Sequence, residues 1–197
     1  MLIRKARKED ATFLAETVMQ AIGDDLCRGL AGGSDCFDNV ERLFRELAAV
    51  EASQYSYTNA LVAEDNDRSP AGAIIAYDGA RLRSLRTSFI EKANELLGWN
   101  ITESEAENWE DEAGPDEVYI DSLYVKKEYR NRGIATALIE SVAEQFRDAG
   151  KPLGILVEPE NVAARRLYEN LGFRFNGINR FCGTPMHHLL KPGTFQT

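Results

Sequence analysis

A strand–turn–helix–strand succession over residues 117–157 constrains the fold of this chain more than any other feature. Its first segment, EVYIDSLYV, alternates between two sets of side chains as a strand does, and LGILV (153–157) is a second, strongly apolar strand. Between them, residues 133–149 carry apolar side chains at every fourth position, which is typical of one face of a helix. Gly150 and Pro152 are typical of that helix's end. The succession predicts a βαβ unit, in which a crossover helix joins two parallel strands.

The turn RNRGIA (130–135) begins this helix and has the features of an anion-binding site. A helix N-terminus presents unpaired backbone N–H groups and a partial positive charge, and both attract phosphate groups. Gly133 and Ala135 leave room for a bulky ligand, while Arg130 and Arg132 add positive charge. The turn has neither the G-K-[ST] of a P-loop nor the G-x-G-x-x-G of a dinucleotide site. We favour a pyrophosphate site over the alternative, an ordinary strand–helix turn with surface arginines.

The net charge of −9 is concentrated in one short stretch. Residues 101–117 hold eight of the 32 acidic side chains and no basic one, so the remaining 24 acids nearly balance the 23 bases. The scarcity of basic clusters argues against nucleic acid as a partner. Acidic side chains near a binding cleft attract cations and speed their arrival, which favours a cationic ligand. The alternative is a solvated loop that only keeps the protein soluble.

The composition, 44% apolar and 28% charged, is that of an ordinary globular protein. Three cysteines without C-x-x-C spacing argue against a disulfide framework and against a zinc site. No apolar run approaches the roughly 18 residues of a membrane span, and the N-terminal segment lacks the apolar core of a signal peptide. We therefore expect a cytoplasmic protein that does not bind a membrane.

Upstream of residue 117, strand patterns alternate with helix patterns. Strands are predicted at 2–7, 60–64 and 71–77, and helices at 11–22 and 38–47. Residues 80–99 show a further helical pattern that leads into the acidic stretch, and together they form what we interpret as a helical and acidic insertion at about 80–115. Trp99 and Trp109 flank its acidic part and are predicted to anchor it on the core. We expect residues 1–197 to form a single domain.

Two motifs resemble those of the GCN5-related N-acetyltransferase (GNAT) family. Arg130, Gly133 and Ala135 match R-x-x-G-x-A, which in that family is the loop that binds the pyrophosphate of coenzyme A. A second motif, NVAARRLYENLGF (161–173), matches in residue type and spacing and begins 28 residues after Gly133. The resemblance covers nearly the whole chain apart from the insertion. It implies a three-layer α/β/α fold: a mixed, mostly antiparallel central sheet flanked by helices, with the two strands of the βαβ unit splayed apart.

The resemblance also implies which residues hold acetyl-CoA, the acetyl donor. The turn would bind the pyrophosphate, the strand before it would offer main-chain groups to the pantetheine arm, and Asn161 would touch that arm. The predicted cofactor-binding residues are Leu123, Tyr124, Val125, Arg130, Asn131, Arg132, Gly133, Ile134, Ala135, Thr136, Asn161 and Tyr168. Tyr168 is also a predicted catalytic residue, because the matching tyrosine protonates or hydrogen-bonds the departing thiolate. From the helical spacing alone, a core aromatic is the alternative.

Acetyl transfer to nitrogen requires a neutral amine. A primary amine has a pKa near ~10.4, so fewer than about one molecule in a thousand is uncharged at pH 7 and a base must assist. Members of the family often carry an acidic base on the strand at 117–125 or on the next one. Since LGILV has no carboxylate, we expect Asp121 to be the base, with Glu117 in reserve. Strand alternation would put both on one side with Tyr119 and Leu123, although either could instead be a solvated or capping carboxylate.

Together these features predict acetyl-CoA-dependent N-acetylation of the primary amine of a small, cationic acceptor. The amine would attack the thioester directly, without a metal or a covalent enzyme intermediate. A protein or peptide acetyltransferase, acting on a lysine or an N-terminus, and a non-catalytic acyl-CoA sensor are the alternatives. We expect a monomer or a homodimer. The adjacent His187 and His188 should point to opposite faces of a strand, so they are predicted to be surface or core residues rather than metal ligands.

Overall fold

The computed structural model describes residues 1–193, and residues 194–197, the last four of the predicted domain, lie outside the described residues. The strands are β1 (Leu2–Lys5), β2 (Ala60–Glu64), β3 (Pro70–Asp78), β4 (Val118–Val125), β5 (Leu153–Val157), β6 (Arg174–Phe181) and β7 (Thr184–Lys191). The helices are α1 (Ala11–Leu30), α2 (Asp38–Ala48), α3 (Leu82–Leu97), α4 (Glu103–Glu107), α5 (Ile134–Gln145) and α6 (Val162–Asn170). The strands and helices predicted from the sequence are all present.

One seven-stranded sheet runs through the protein in the order β1-β2-β3-β4-β5-β7-β6. Every neighbouring pair is antiparallel except β4 and β5, which are parallel and joined through α5. The mixed, mostly antiparallel sheet predicted above is therefore confirmed. The ladder between β4 and β5 is short: residues 118–120 pair with residues 153–155, and the pairing stops there.

Helices cover both faces of the sheet. Helices α1, α2 and α3 pack on one face, which we call the α1–α3 face, together with Val62 and Ile75. Helices α5 and α6 pack on the other, the α5–α6 face, together with Leu61, Ile74 and Ile120. Because alternate residues of a strand point to opposite faces, the continuous apolar runs of β2 and β3 fill both layers of the core.

A bulge in β4 changes which side chains share a face. The pairing of β3 with β4 shifts between Ile75 and Ala76, and Asp121 is left opposite no residue. An extra residue of this kind reverses the alternation beyond it. Tyr119 consequently packs on the α1–α3 face, whereas Leu123 packs on the α5–α6 face. The prediction that Leu123 shares a side with Tyr119 and Asp121 was wrong for this reason.

Two helices differ from their predicted bounds by more than two residues. Helix α5 ends at Gln145 rather than at residue 149, because the chain tightens into a 3₁₀ turn over Arg147–Ala149 before Gly150, which has a left-handed φ of 64°. Helix α1 continues beyond residue 22 to Leu30 after a break at Gly23, where φ is 78°. Within residues 1–193, no helix combines the length and apolar character that a membrane crossing needs.

The segment 80–115 packs on the α1–α3 face. Helix α3 buries Leu85, Phe89 and Ala93, and it lies against α2. Trp99 and Trp109 meet edge to face with their ring centroids 6.4 Å apart, and both pack against the core beneath α1 to α3. Their predicted role as anchors of this segment is confirmed.

Candidate active site

The end of the short ladder between β4 and β5 leaves part of β4 with a strand on one side only. Residues 121–125 follow the last β5 pair, and apart from the bulged Asp121 they remain paired to β3. Main-chain N–H and C=O groups that face away from a ladder need another partner. The half-buried Leu123, Tyr124 and Val125 lie where the sequence predicts the pantetheine arm.

The turn between β4 and α5 has the backbone of an anion site. Asn131 has a φ of 59° and Gly133 a φ of 76°, so two left-handed residues precede the helix. Such conformations turn successive N–H groups into a concave, positive site. A Cβ added at Gly133 would meet no atom within 4 Å, so the space above this glycine is open. The turn therefore suits a pyrophosphate. Glycine at 133 is favoured by the positive φ, and it leaves open space in which a bulky ligand can approach the backbone.

Three side-chain contacts that the sequence analysis missed support this turn. The Arg132 guanidinium lies over the Tyr129 ring, 5.5 Å from its centroid, and the Tyr129 hydroxyl donates to Oδ2 of Asp65 over 2.6 Å. The Nε of Arg130 donates to the carbonyl of Val125 over 3.0 Å. Arg130 thus ties the turn to the end of β4. Asp65, the partner of Tyr129, comes from the β2–β3 turn, and no local motif predicts a contact over so many residues.

The second motif forms α6. The Oδ1 of Asn161 accepts the N–H of Ala164 over 3.1 Å, so Asn161 caps this helix. Gly172, with a φ of 92°, follows the end of the helix. Tyr168 is buried on the α5–α6 face with its ring 5.7 Å from that of Phe173, and burial raises its pKa to about 12. A phenol of that pKa stays protonated at neutral pH and can donate a hydrogen.

The Tyr168 hydroxyl makes no hydrogen bond to any of the described residues. The hydroxyl oxygen is not fully enclosed, and it retains a small area of contact with the surface. The hydroxyl is therefore free to bond a ligand from the α5–α6 side of the sheet.

Asp121 occupies the bulge and faces the opposite, α1–α3 side. Its Oδ2 accepts from the Tyr77 hydroxyl over 3.0 Å and from Nε2 of Gln54 over 3.5 Å, and its Oδ1 accepts from the Ser122 hydroxyl over 2.8 Å. Asp121 keeps a little exposed surface, yet enclosure of its carboxyl is the largest influence on its pKa. That burial and the negative charge of Glu112 outweigh the three hydrogen bonds and raise the pKa to about 7. A carboxylate with a pKa near the working pH is suited to be a general base.

Glu117, the reserve candidate, is engaged elsewhere. It is buried just before β4, where its Oε2 lies 2.8 Å from Nε2 of His188 and its Oε1 accepts the N–H of Gly114 over 2.7 Å. A Cβ at Gly154 would collide with this carboxylate, so glycine in β5 makes the space for it. These contacts favour a structural role for Glu117.

The two histidines point to opposite faces of β7, as predicted. His188 reaches Glu117, whereas His187 packs edge to face against Phe175 with centroids 5.1 Å apart. Among the side chains of residues 1–193, no three His, Cys, Asp or Glu groups converge as metal ligands.

A cavity of about 300 Å³ opens on the α1–α3 side. It lies between α1, α2, α3, the acidic stretch and the end of β6, and its lining includes the aromatic side chains Phe44, Tyr55, Phe89, Trp109 and Phe181. Gln54 also lines it. Since Gln54 is the hydrogen-bond partner of Asp121, the cavity extends to within one side chain of that carboxylate.

The acidic stretch is divided among several environments. Glu110 and Glu112 line the cavity, but Glu112 is paired with the buried Arg86 at 2.5 Å. Glu103, Glu105 and Glu107 lie on α4 and face solvent. The acidic stretch therefore adjoins the cavity, although its eight carboxylates do not all gather there.

Comparison with known proteins identifies the class. Residues 35–173, most of the chain, match the model of the acetyltransferase (GNAT) family. The chain belongs to the GNAT acetyltransferase family, as the two motifs predicted. The family and its structural neighbours indicate an N-acetyltransferase enzyme.

Two solved structures are similar over nearly the full length of the chain. An N-acetyltransferase from Staphylococcus aureus Mu50 is 26% identical with a TM-score of 0.78, covering 96% of this chain and 100% of that one. A second structure, described as an acetyltransferase, is 25% identical with a TM-score of 0.74, covering 98% and 100%. These similarities confirm the three-layer α/β/α fold.

Two curated relatives match over shorter regions. A probable spermine N(1)-acetyltransferase of Bacillus subtilis subsp. natto (strain BEST195) is 33% identical over 70 residues, which are 34% of this chain and 45% of the relative. A thialysine N-epsilon-acetyltransferase of Bos taurus is 41% identical over 56 residues, or 28% of this chain and 33% of the relative. The chain thus spans less than half the length of either protein.

Proposed function

We propose that this protein transfers the acetyl group of acetyl-CoA to the primary amine of a small acceptor that carries positive charge. The observation that carries the proposal is the position of Asp121. Its carboxyl, with a pKa of about 7, lies at the bulge where β4 parts from β5, with the cavity on the same side of the sheet. We further propose that residues 1–197 form one N-acetyltransferase domain, to which 80–115 is an addition that walls the acceptor site.

The residues of the β4–α5 turn fit the donor. Residues 130–136 would bind the pyrophosphate through backbone N–H groups and positive charge, and residues 123–125, with Asn161, would hold the pantetheine arm. Bound acetyl-CoA supplies an acetyl group on a thioester sulfur. The unpaired edge of β4 offers main-chain groups to an amide-containing arm.

Asp121 and Tyr168 would handle the protons from the two sides of the sheet. Ionised Asp121 takes one proton from the bound ammonium and leaves a neutral amine with two N–H bonds. When the N–C bond forms and the C–S bond breaks, the nitrogen loses a second proton to solvent. Tyr168 donates its proton to the departing sulfur and regains one from solvent, and Asp121 releases the proton it took to solvent. In total the ammonium loses two protons, the thiol gains one and one is released.

The cavity and the relatives support a small cationic acceptor. Its aromatic walls suit an apolar body, while the exposed carboxylate of Glu110 at its edge suits a second positive group. The two curated relatives are named for spermine and for thialysine, both of which are amines with further charged groups. Their partial coverage makes them support for the acceptor class rather than for one acceptor.

A panel assay tests the proposal. The protein would be incubated with acetyl-CoA and, in turn, spermine, thialysine, hexane-1,6-diamine, 2-phenylethylamine and a lysine-containing peptide, and thiol release would be followed. We expect turnover with one or more of the small amines, with a rate about 10²-fold lower in Tyr168→Phe and strongly reduced in Asp121→Asn. Turnover with the peptide alone would indicate that the acceptor is a protein or peptide rather than a small molecule. Binding of acetyl-CoA without any turnover would favour a sensor.

A further inference from the structure

The side chain of Gln54 carries a polar atom that the protein leaves without a partner. Gln54 is 3% exposed, and its Oε1 is buried without a hydrogen-bond partner within the described residues. Its Nε2 is 3.5 Å from Oδ2 of Asp121. A buried amide oxygen without a donor is unfavourable, and native proteins rarely keep one unless it has a use.

The loop around Gln54 is held in place by other contacts. The Nδ2 of Asn59 donates to the carbonyls of Ser53 and Gln54 over 3.0 and 3.3 Å, and the N–H of Tyr55 donates to the Ser53 hydroxyl over 3.1 Å. Ser53, Tyr55 and Ser56 are buried as well. These contacts fix the main chain at Gln54 without using the side-chain oxygen that lacks a partner.

Gln54 stands between the cavity and the candidate base. It lines the cavity beside the aromatic walls, and its amide nitrogen points to Asp121. An amine that reaches Asp121 from the cavity passes this side chain. The amide oxygen is a hydrogen-bond acceptor, so it suits an N–H group on the nitrogen that reacts.

We propose that Gln54 is a specificity-determining residue that accepts the N–H retained by a primary amine throughout acetylation. This inference rests on the proposed function. A neutral primary amine has two N–H bonds: one is lost as the N–C bond forms, and the other remains on the product amide. In an N-methyl amine the methyl group takes the place of the retained N–H, so the Gln54 oxygen stays unpartnered against carbon. The site therefore selects primary amines with an apolar body and rejects their N-methyl derivatives.

Two pairs of amines test this selection: hexane-1,6-diamine with its N,N′-dimethyl derivative, and 2-phenylethylamine with N-methyl-2-phenylethylamine. For the wild-type protein, kcat/KM should favour the primary member of each accepted pair by about 10- to 100-fold, the range set by a hydrogen bond gained or lost in a buried site. Gln54→Met preserves length and volume without the acceptor oxygen. The lost hydrogen bond to Asp121 affects both members of a pair alike, so the variant should lower kcat/KM about tenfold more for the primary amine than for the N-methyl amine and shrink the preference accordingly.

Gln145→Met is the matched control, because Gln145 is exposed at the end of α5. Thermal unfolding establishes that each variant is folded, and Gln54→Asn, which withdraws the amide by one methylene, replaces Gln54→Met if that variant does not fold. A folded residue-54 variant with the full wild-type preference overturns the inference, and so does a wild-type protein that acetylates both members of a pair equally. In both cases turnover of the primary amine leaves the proposed function standing. Failure to acetylate either primary amine overturns the inference, and the proposed function falls with it only if spermine and thialysine are not acetylated either.

Discussion

The hydroxyl of Tyr77 donates to Oδ2 of Asp121 over 3.0 Å, across the point where β3 and β4 fall out of regular register. Asp121 faces the α1–α3 side of the sheet, where Gln54 links its carboxyl to the wall of the aromatic cavity. Burial favours the protonated carboxyl, and the hydrogen bonds from Tyr77, Ser122 and Gln54 favour the ionised one. The balance leaves a pKa of about 7, at which the group can exchange protons with a bound amine.

The turn at Gly133 is predicted to be essential for acetyl-CoA binding. Gly133→Glu adds bulk and a negative charge where the pyrophosphate would bind, so calorimetry should detect no acetyl-CoA binding. Gly150→Glu is a matched control, since Gly150 also has a left-handed φ, 64° against 76°, and open space around it. If folded Gly133→Glu binds acetyl-CoA as tightly as the wild type does, the turn is not the pyrophosphate site.

Tyr168→Phe preserves the ring against Phe173 and removes only the hydroxyl. We expect kcat to fall by about 10²-fold, within the range of lost general acid catalysis, with acetyl-CoA affinity little changed. Steady-state kinetics with an accepted amine, together with calorimetry, measure the two effects. Tyr57→Phe, which loses a hydrogen bond to Glu51 at the surface, serves as the control. Full activity of Tyr168→Phe would make this tyrosine a core residue only.

Glu117 is predicted to stabilise the fold. Glu117→Ala leaves Nε2 of His188 and the N–H of Gly114 buried without their partner, which should lower the free energy of unfolding by about 2–4 kcal/mol. Denaturant unfolding measures this loss. The pH dependence of kcat should be unchanged in the remaining folded protein, because Asp121 is intact. A changed pH dependence with little loss of stability would restore Glu117 as a base.

The exposed acids of α4 are predicted to steer cationic acceptors. The kcat/KM for spermine or hexane-1,6-diamine should fall as salt rises, because the screening length shortens to about 8 Å at 0.15 M. Replacing Glu103, Glu105 and Glu107 by glutamine should weaken that dependence and leave 2-phenylethylamine less affected, since it carries one charge. Glutamine at the exposed Glu140 and Glu144 of α5 is the control. Identical salt responses in the triple variant and the wild type would make α4 a solvated surface only.

The sequence predicted the features that short-range patterns encode. The turn at Gly133 that begins α5 and the cap of α6 by Asn161 follow from residues within one turn of each other, and both are present. The bulge at Asp121 depends on how β4 pairs with β3, and the contact between Glu117 and His188 joins residues 71 positions apart. Neither has a local signature. The strand alternation expected from residue 117 onward consequently failed beyond the bulge.

The position of Gln54 could not be predicted from local sequence patterns either. Its segment, QYSYTN, contains aromatic and polar residues that could equally line a cleft or pack a loop. Only the fold brings it beside Asp121, 67 residues later in the chain. The cavity itself combines six separate parts of the sequence, so its apolar character could not be predicted from any one of them.

The ionisation of Asp121 is the central claim, and the pH dependence of kcat/KM tests it most directly. Since the folded pKa of about 7 lies above the ordinary 3.8, the active carboxylate forms as pH rises through about 7. Ionisation of the amine affects every variant alike, so the ratio of wild type to Asp121→Asn isolates this group, with Asp116→Asn at an exposed position as the control. We predict that this ratio rises about tenfold per pH unit below pH 7 and levels above it. A ratio that does not change with pH would contradict the assignment of Asp121 as the base.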